Sequence, residues 1–114
     1  MWVVSDADRA AIDLIERAVE SRSVLKLDYK DESGRGSMRD VRPLGLWFWG
    51  KVWTLVAWCE MRGDFRVFRI DRIGSVSSAE RKFKHEKGKL LADFYRTLER
   101  NGELHASGSK AREQ

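Results

Sequence analysis

Cysteine and proline occur once each, as Cys59 and Pro43, and histidine twice, as His85 and His105. A lone cysteine closes no intrachain disulfide, so the sequence lacks the staples of a small secreted scaffold. One cysteine and two histidines are also too few for a structural zinc site. No apolar run approaches the roughly 20 residues that a membrane-spanning helix needs. The opening Met1 to Asp6 has neither the basic start nor the long apolar stretch of a signal peptide, so the expected location is the cytoplasm. Catalytic signatures are missing as well: there is no GxSxG, P-loop, HExxH or GxGxxG. His85 stands among lysines and His105 in a polar tail, poor settings for a general base. The expectation is therefore no enzyme, no catalytic residue, no metal and no cofactor.

What is present fits one domain of 114 residues. A hydrophobic fraction of 42% and five tryptophans argue for a packed globule over a disordered chain. The net charge is +4, unevenly spread. Residues 1–37 carry six Lys/Arg against eight Asp/Glu, residues 38–72 seven against four, and residues 73–114 nine against six. An acidic start and a basic remainder suggest a surface with one positive side, which attracts anions. A net charge of this size is also ordinary for a domain with no such role.

Hydrophobic periodicity then orders the chain. Ser5 and Asp6 cap an amphipathic helix over about 6–22, with Ile12, Ile15 and Val19 on its apolar stripe. Leu25, Leu27 and Tyr29 alternate with Lys26, Asp28 and Lys30, a half-buried strand. Asp31 to Gly36 is a turn. A strand follows from about Ser37 to Pro43, whose proline belongs at an edge, a bulge or a strand end. Leu44 to Trp49 continues extended, and Gly50-Lys51 turns the chain. Val52 to Glu60, Phe65 to Ile70 and a stretch within Arg72 to Phe83 complete the strands. Leu90, Leu91, Phe94, Tyr95 and Leu98 mark a second helix at about 89–99. Residues 101–114 have no apolar periodicity and are expected to be a disordered tail. About five short strands between 24 and 83, flanked by two helices, make a mainly β (α+β) domain of residues 1–100, a small barrel in outline.

Two segments carry the chemistry. One is Arg39-Asp40-Val41-Arg42-Pro43-Leu44, leading into Val52-Trp53-Thr54-Leu55. The other is Arg66-Val67-Phe68-Arg69-Ile70-Asp71-Arg72-Ile73. In these the chain resembles the WYL family, named for a Trp-Tyr-Leu strand motif, over Ile15 to about Phe83. Trp53 and Leu55 match that motif, whereas Thr54 stands in the tyrosine's place. The resemblance implies an Sm-like, SH3-like barrel that senses ligands, single-stranded nucleic acid among them, in bacterial transcriptional regulators. It also implies a DNA-binding unit, usually a winged helix-turn-helix, as a partner in cis or in trans, and a homodimer. About 14 residues precede the resemblance, too few for a winged helix, so the chain is expected to be either free-standing or a fragment of a longer regulator.

Arg39, Arg66, Arg69 and Arg72 match the family's basic positions. Arginine suits phosphate because its fork of donors grips two oxygens and stays charged. Set together at one barrel mouth, these four would hold an anionic effector, a single-stranded nucleic acid or a nucleotide-like molecule. Trp53 and Tyr29, with Phe68, would then offer rings to bases. Each residue has a structural alternative. Arg69 and Arg72 can pair with Asp71, and strand aromatics usually pack inward. The cluster of Arg81, Lys82, Lys84, Lys87 and Lys89 reads as a solvated face or as an extension of a backbone-binding track. The rival function is a protein–protein or dimerisation module in which exposed tryptophans such as Trp47 form the interface. Specific duplex binding by this chain alone is disfavoured, because the two helices lie at opposite ends and form no helix-turn-helix.

Overall fold

The computed structural model describes residues 5–31, 33–49 and 51–100; the tail expected beyond residue 100 lies outside them. The order is a helix α1 (Asp6–Ser21), strands β1 (Ser23–Lys30), β2 (Gly36–Trp49), β3 (Val52–Cys59) and β4 (Asp64–Arg69), a 3₁₀ turn (Ile70–Arg72), strand β5 (Ile73–Lys82) and helix α2 (Leu91–Arg100). The five strands form one antiparallel sheet in the order β4-β3-β2-β1-β5.

Helix α1 starts where Ser5 Oγ accepts the Asp8 amide at 3.1 Å, with Asp6 and Asp8 in the first turn complementing the helix dipole. It stops at Arg22, which takes the left-handed conformation with φ at 55°. No basic residue occupies its last turn. Lys82 instead reaches from β5 to the Ser21 carbonyl at 3.1 Å and supplies that charge.

β2 is one strand where the sequence suggested two segments. The pairing with β3 shifts between Pro43 and Gly45, and Leu44 is the extra residue. Pro43 therefore sits at a bulge, one of the three places open to it. The pairing of β2 with β1 runs only as far as Val41, so the missing proline N–H breaks no rung of that ladder. The first turn rests on Asp31, whose Oδ1 accepts from Ser33 N, Ser33 Oγ and Arg35 N at 2.7–2.9 Å. The expected last strand loses its start to the 3₁₀ turn, which carries Asp71 and Arg72.

The barrel anticipated from the strand count is open: among the described residues β4 and β5, the two ends of the sheet, do not pair with each other. It is nevertheless strongly curled. β1 and β4 are separated by two strands, about 14 Å apart in a flat sheet, yet the Tyr29 and Phe68 rings meet edge-on at 4.9 Å. The Tyr29 hydroxyl also accepts the Arg69 amide at 3.1 Å. Side chains thus close the seam that backbone pairing leaves. The same bond protects the edge of β4: Arg69 N is taken by Tyr29 and Phe65 N by its neighbour Asp64, at 2.8 Å.

Curling gives the sheet a concave and an outer face. The concave face and α1 enclose the main core, with Ile15, Leu25, Leu27, Val41, Leu55 and Phe68 at its centre. The outer face carries a second, smaller cluster in which α2 lays Phe94 against Trp47 and Val56. Tyr95 stacks on Trp47 at 5.2 Å and its hydroxyl accepts the indole N–H at 2.8 Å.

Candidate anion-binding site

Strand alternation assigns each candidate residue to a face. On β1, Leu27 and Tyr29 point into the core. Their β2 partners in register are Arg39 and Ser37, so Arg39 lies on the concave face. On β3, Leu55 and Ala57 face the core and pair with Phe68 and Arg66 of β4, so Arg66 lies there too. The Arg66 guanidinium carbon sits 5.8 Å from the centre of the Phe68 ring, a cation–π distance. Phe68 meets Tyr29, and Tyr29 faces Ser37, whose Oγ accepts Arg39 Nε at 3.1 Å. Arg66, from the edge strand β4, thus lies over one ring of this aromatic pair, and Arg39, from the central strand β2, is tied to the residue facing the other.

Neither Arg39 nor Arg66 has a carboxylate partner among the described residues. Arg39 Nη1 is also buried with no hydrogen-bond partner. A desolvated donor of that kind is costly unless an acceptor arrives. Trp53 shares this face, half-buried at the margin of the core, with the Phe48 ring at 5.2 Å.

Arg69 and Arg72 are not part of this arrangement. Arg69 lies three residues from Arg66 and so on the outer face, opposite Thr54. Its guanidinium grips Asp71 with two bonds of 3.0 and 2.7 Å. The pairing holds the Asp71 carboxyl below its usual range and raises Arg69 further. Arg72 belongs to the 3₁₀ turn and is partly buried. Tyr29 is 6% exposed, and its hydroxyl is engaged by Arg69 N, which places it among the walls of the core. Thr54, in the motif tyrosine's place, is buried on the outer face and donates to the Trp47 carbonyl at 2.9 Å.

The outer face holds a feature that sequence reading did not anticipate. Lys26 pairs with Asp40, Asp40 with Arg81, Arg81 with Glu60, Glu60 with Arg42, Arg42 with Glu86, and Glu86 with Lys89. Lys89 ends the chain of charges 5.2 Å from the Trp58 ring centre. The bond from Lys26 lowers the Asp40 carboxyl, that from Arg81 lowers Glu60 and that from Arg42 lowers Glu86. Partners up to 44 residues apart in sequence leave no local signature. Ser37 next to Arg39 was findable: residues two apart on a strand share a face.

The curled antiparallel sheet and the N-terminal helix packed on its concave face together define a small, mainly β domain. The family model of the WYL domain matches residues 10–78, more than half of the chain, and the chain belongs to the WYL family. Among known proteins it is 24% identical over 82 residues to an uncharacterized HTH-type transcriptional regulator, YobV, of Bacillus subtilis strain 168; the match spans 72% of this chain and 26% of the relative. Among solved structures it is similar to proteasome accessory factor B/C of Arthrobacter aurescens, with a TM-score of 0.67 and 27% identity over 74% of this chain and 13% of that one. The chain therefore spans only a small part of either relative.

Proposed function

We propose that this WYL domain is a ligand-sensing regulatory module, not a catalyst, and that its concave face holds an anionic effector. The observation that carries the reading is the unpartnered, buried Nη1 of Arg39, on the face where Arg66 also lacks a counter-ion. An oxygen of a phosphate or carboxylate would satisfy that donor and gain a charge-assisted bond. Arg66 would take a second phosphate, and the half-buried Trp53 would offer a ring edge to a base. Single-stranded nucleic acid or a nucleotide-like molecule fits these parts. The HTH-type relative supports a DNA-binding unit, in cis or in trans, as the recipient of the signal. The effector acts on that unit, or on a homodimer of the domain, only if it binds one conformation better than the other.

The rival reading, a protein–protein or dimerisation module, would need an anchor other than Trp47, which is 9% exposed and covered by α2. The test is fluorescence anisotropy of labelled single- and double-stranded oligonucleotides at two salt concentrations. The expected result is salt-sensitive binding that favours single strands. Arg66→Ala weakens it and lowers the salt slope by about one phosphate contact. No binding at low salt would exclude nucleic acid and leave a small anion or a protein partner.

A further inference from the structure

A pocket of about 480 Å³ lies where α1 ends and α2 begins, and neither Arg39 nor Arg66 lines it. Its floor is apolar: Pro43 and Leu44 of the β2 bulge, Phe83 after β5, and Leu90 and Leu91 at the start of α2. Its rim carries Arg22, His85 and Glu20. The volume is in the range of small-molecule sites, and an apolar floor with a few polar groups is their usual composition.

The rim charges are free to act. The side chains of Arg22 and His85 are exposed and have no hydrogen-bond or ionic partner among the described residues. This contrasts with Arg42, Arg81 and Lys89 nearby, each held by a carboxylate. The backbone of Arg22 is fixed as the left-handed C-cap of α1, with its amide bonded to the Ala18 and Val19 carbonyls. Glu20 faces the same opening and repels a second negative charge. The balance suits one anionic group on an apolar body and disfavours a polyphosphate chain.

We infer that this pocket is a second binding site, for a small apolar molecule bearing a single carboxylate or sulfonate, built from residues other than Arg39, Arg66 and Trp53. The anionic group meets Arg22 and accepts a bond from the His85 imidazole, while the apolar body covers Leu44, Phe83 and Leu91. The pocket has a structural consequence. Its walls come both from inside the family match (α1, β2) and from beyond residue 78 (Phe83, Leu90, Leu91). A bound molecule therefore ties the C-terminal helix to α1, and its occupancy favours the state in which α2 is docked. The inference stands independently of the effector proposed for the concave face.

The test uses anilinonaphthalene sulfonate, an aromatic body with one sulfonate, followed by fluorescence titration on the whole chain. Three variants change residues outside the buried core, Ala92 and Arg22 exposed and Arg66 partly buried. Ala92→Trp places a large ring in the pocket and is expected to abolish binding. Arg22→Asn removes the charge but tolerates the left-handed backbone, and is expected to weaken binding about tenfold, as is usual for a lost charge-assisted bond. Arg66→Ala on the concave face is expected to leave the affinity unchanged. Amide shifts on probe addition should centre on Leu44, His85 and Leu91. Absent binding to the wild type, unchanged binding in Ala92→Trp or in Arg22→Asn, or displacement of the probe by a single-stranded oligonucleotide each overturns the inference.

Discussion

On the outer face of the sheet Arg42 holds Glu60 and Glu86, and Arg81 holds Asp40 and Glu60. On the concave face Arg39 and Arg66 hold no carboxylate among the described residues, and one nitrogen of Arg39 is buried with nothing to bond. Both faces are basic in composition, and they use the charge differently. The outer network joins β1, β2, β5 and Glu60, just after β3, to the segment that leads into α2, so its arginines act in stability. The concave arginines lack counter-ions: Arg66 lies over the Phe68 ring and Arg39 keeps a buried, unpaired donor, which costs stability unless an acceptor arrives. A basic strand residue is thus informative about function only once its partners are known.

The contrast can be broken at several points. The largest effect is expected at the α2 contact: Phe94→Ala removes a ring packed against Trp47 and Phe65 and should cost about 3–5 kcal/mol in urea unfolding. Next is the network. Glu60→Gln removes the negative charge shared by Arg42 and Arg81 and one of its two acceptor oxygens, and should cost about 1–2 kcal/mol, with anion binding unchanged. The same carboxylates make stability depend on pH. Asp40 and Glu60 lie below their ordinary values of 3.8 and 4.5 when folded. Their contribution is therefore full above those values and is lost as pH falls through the lowered ones. Unfolding free energy should decline below about pH 5, and less steeply in Glu60→Gln.

At the seam, Tyr29→Phe leaves the ring in place but deprives Arg69 N of its acceptor. A loss of about 1 kcal/mol is expected, with faster hydrogen exchange at the Arg69 amide. Arg39→Met should move stability the other way. It replaces an unsatisfied buried donor with an apolar chain of similar length, so the unfolding free energy should rise by about 1 kcal/mol and the urea midpoint with it, while oligonucleotide binding falls. A lower midpoint would instead make Arg39 a structural residue. The smallest effect on stability is expected for Arg66→Ala, within about 0.5 kcal/mol, the variant whose consequence should appear in binding alone.

Much of this was legible beforehand. The alternation of Leu25, Leu27 and Tyr29 with Lys26, Asp28 and Lys30 marks β1, and the stripe of Ile12, Ile15 and Val19 marks α1, because periods of 2 and 3.6 are imposed by backbone geometry. The Arg-Val-Phe-Arg-Ile-Asp-Arg run pointed to the WYL family, to which the chain belongs. Grouping Arg39, Arg66, Arg69 and Arg72 at one mouth did not follow from the spacing: Arg66 and Arg69 are an odd number apart and take opposite faces of β4. Asp71, between the two expected strands, sits in a 3₁₀ turn that also takes Ile70 and Arg72 from their ends. Trp47 looked available as an interface anchor, and α2 covers it.

The sequence by itself determined the elements, their hydrophobic faces and the family, since each is written in residues a few positions apart. The tertiary structure alone decided which arginines are free. That depends on carboxylates brought from 18 to 44 residues away and on a sheet curled enough for Tyr29 to meet Phe68, and neither is encoded within any one segment of the chain.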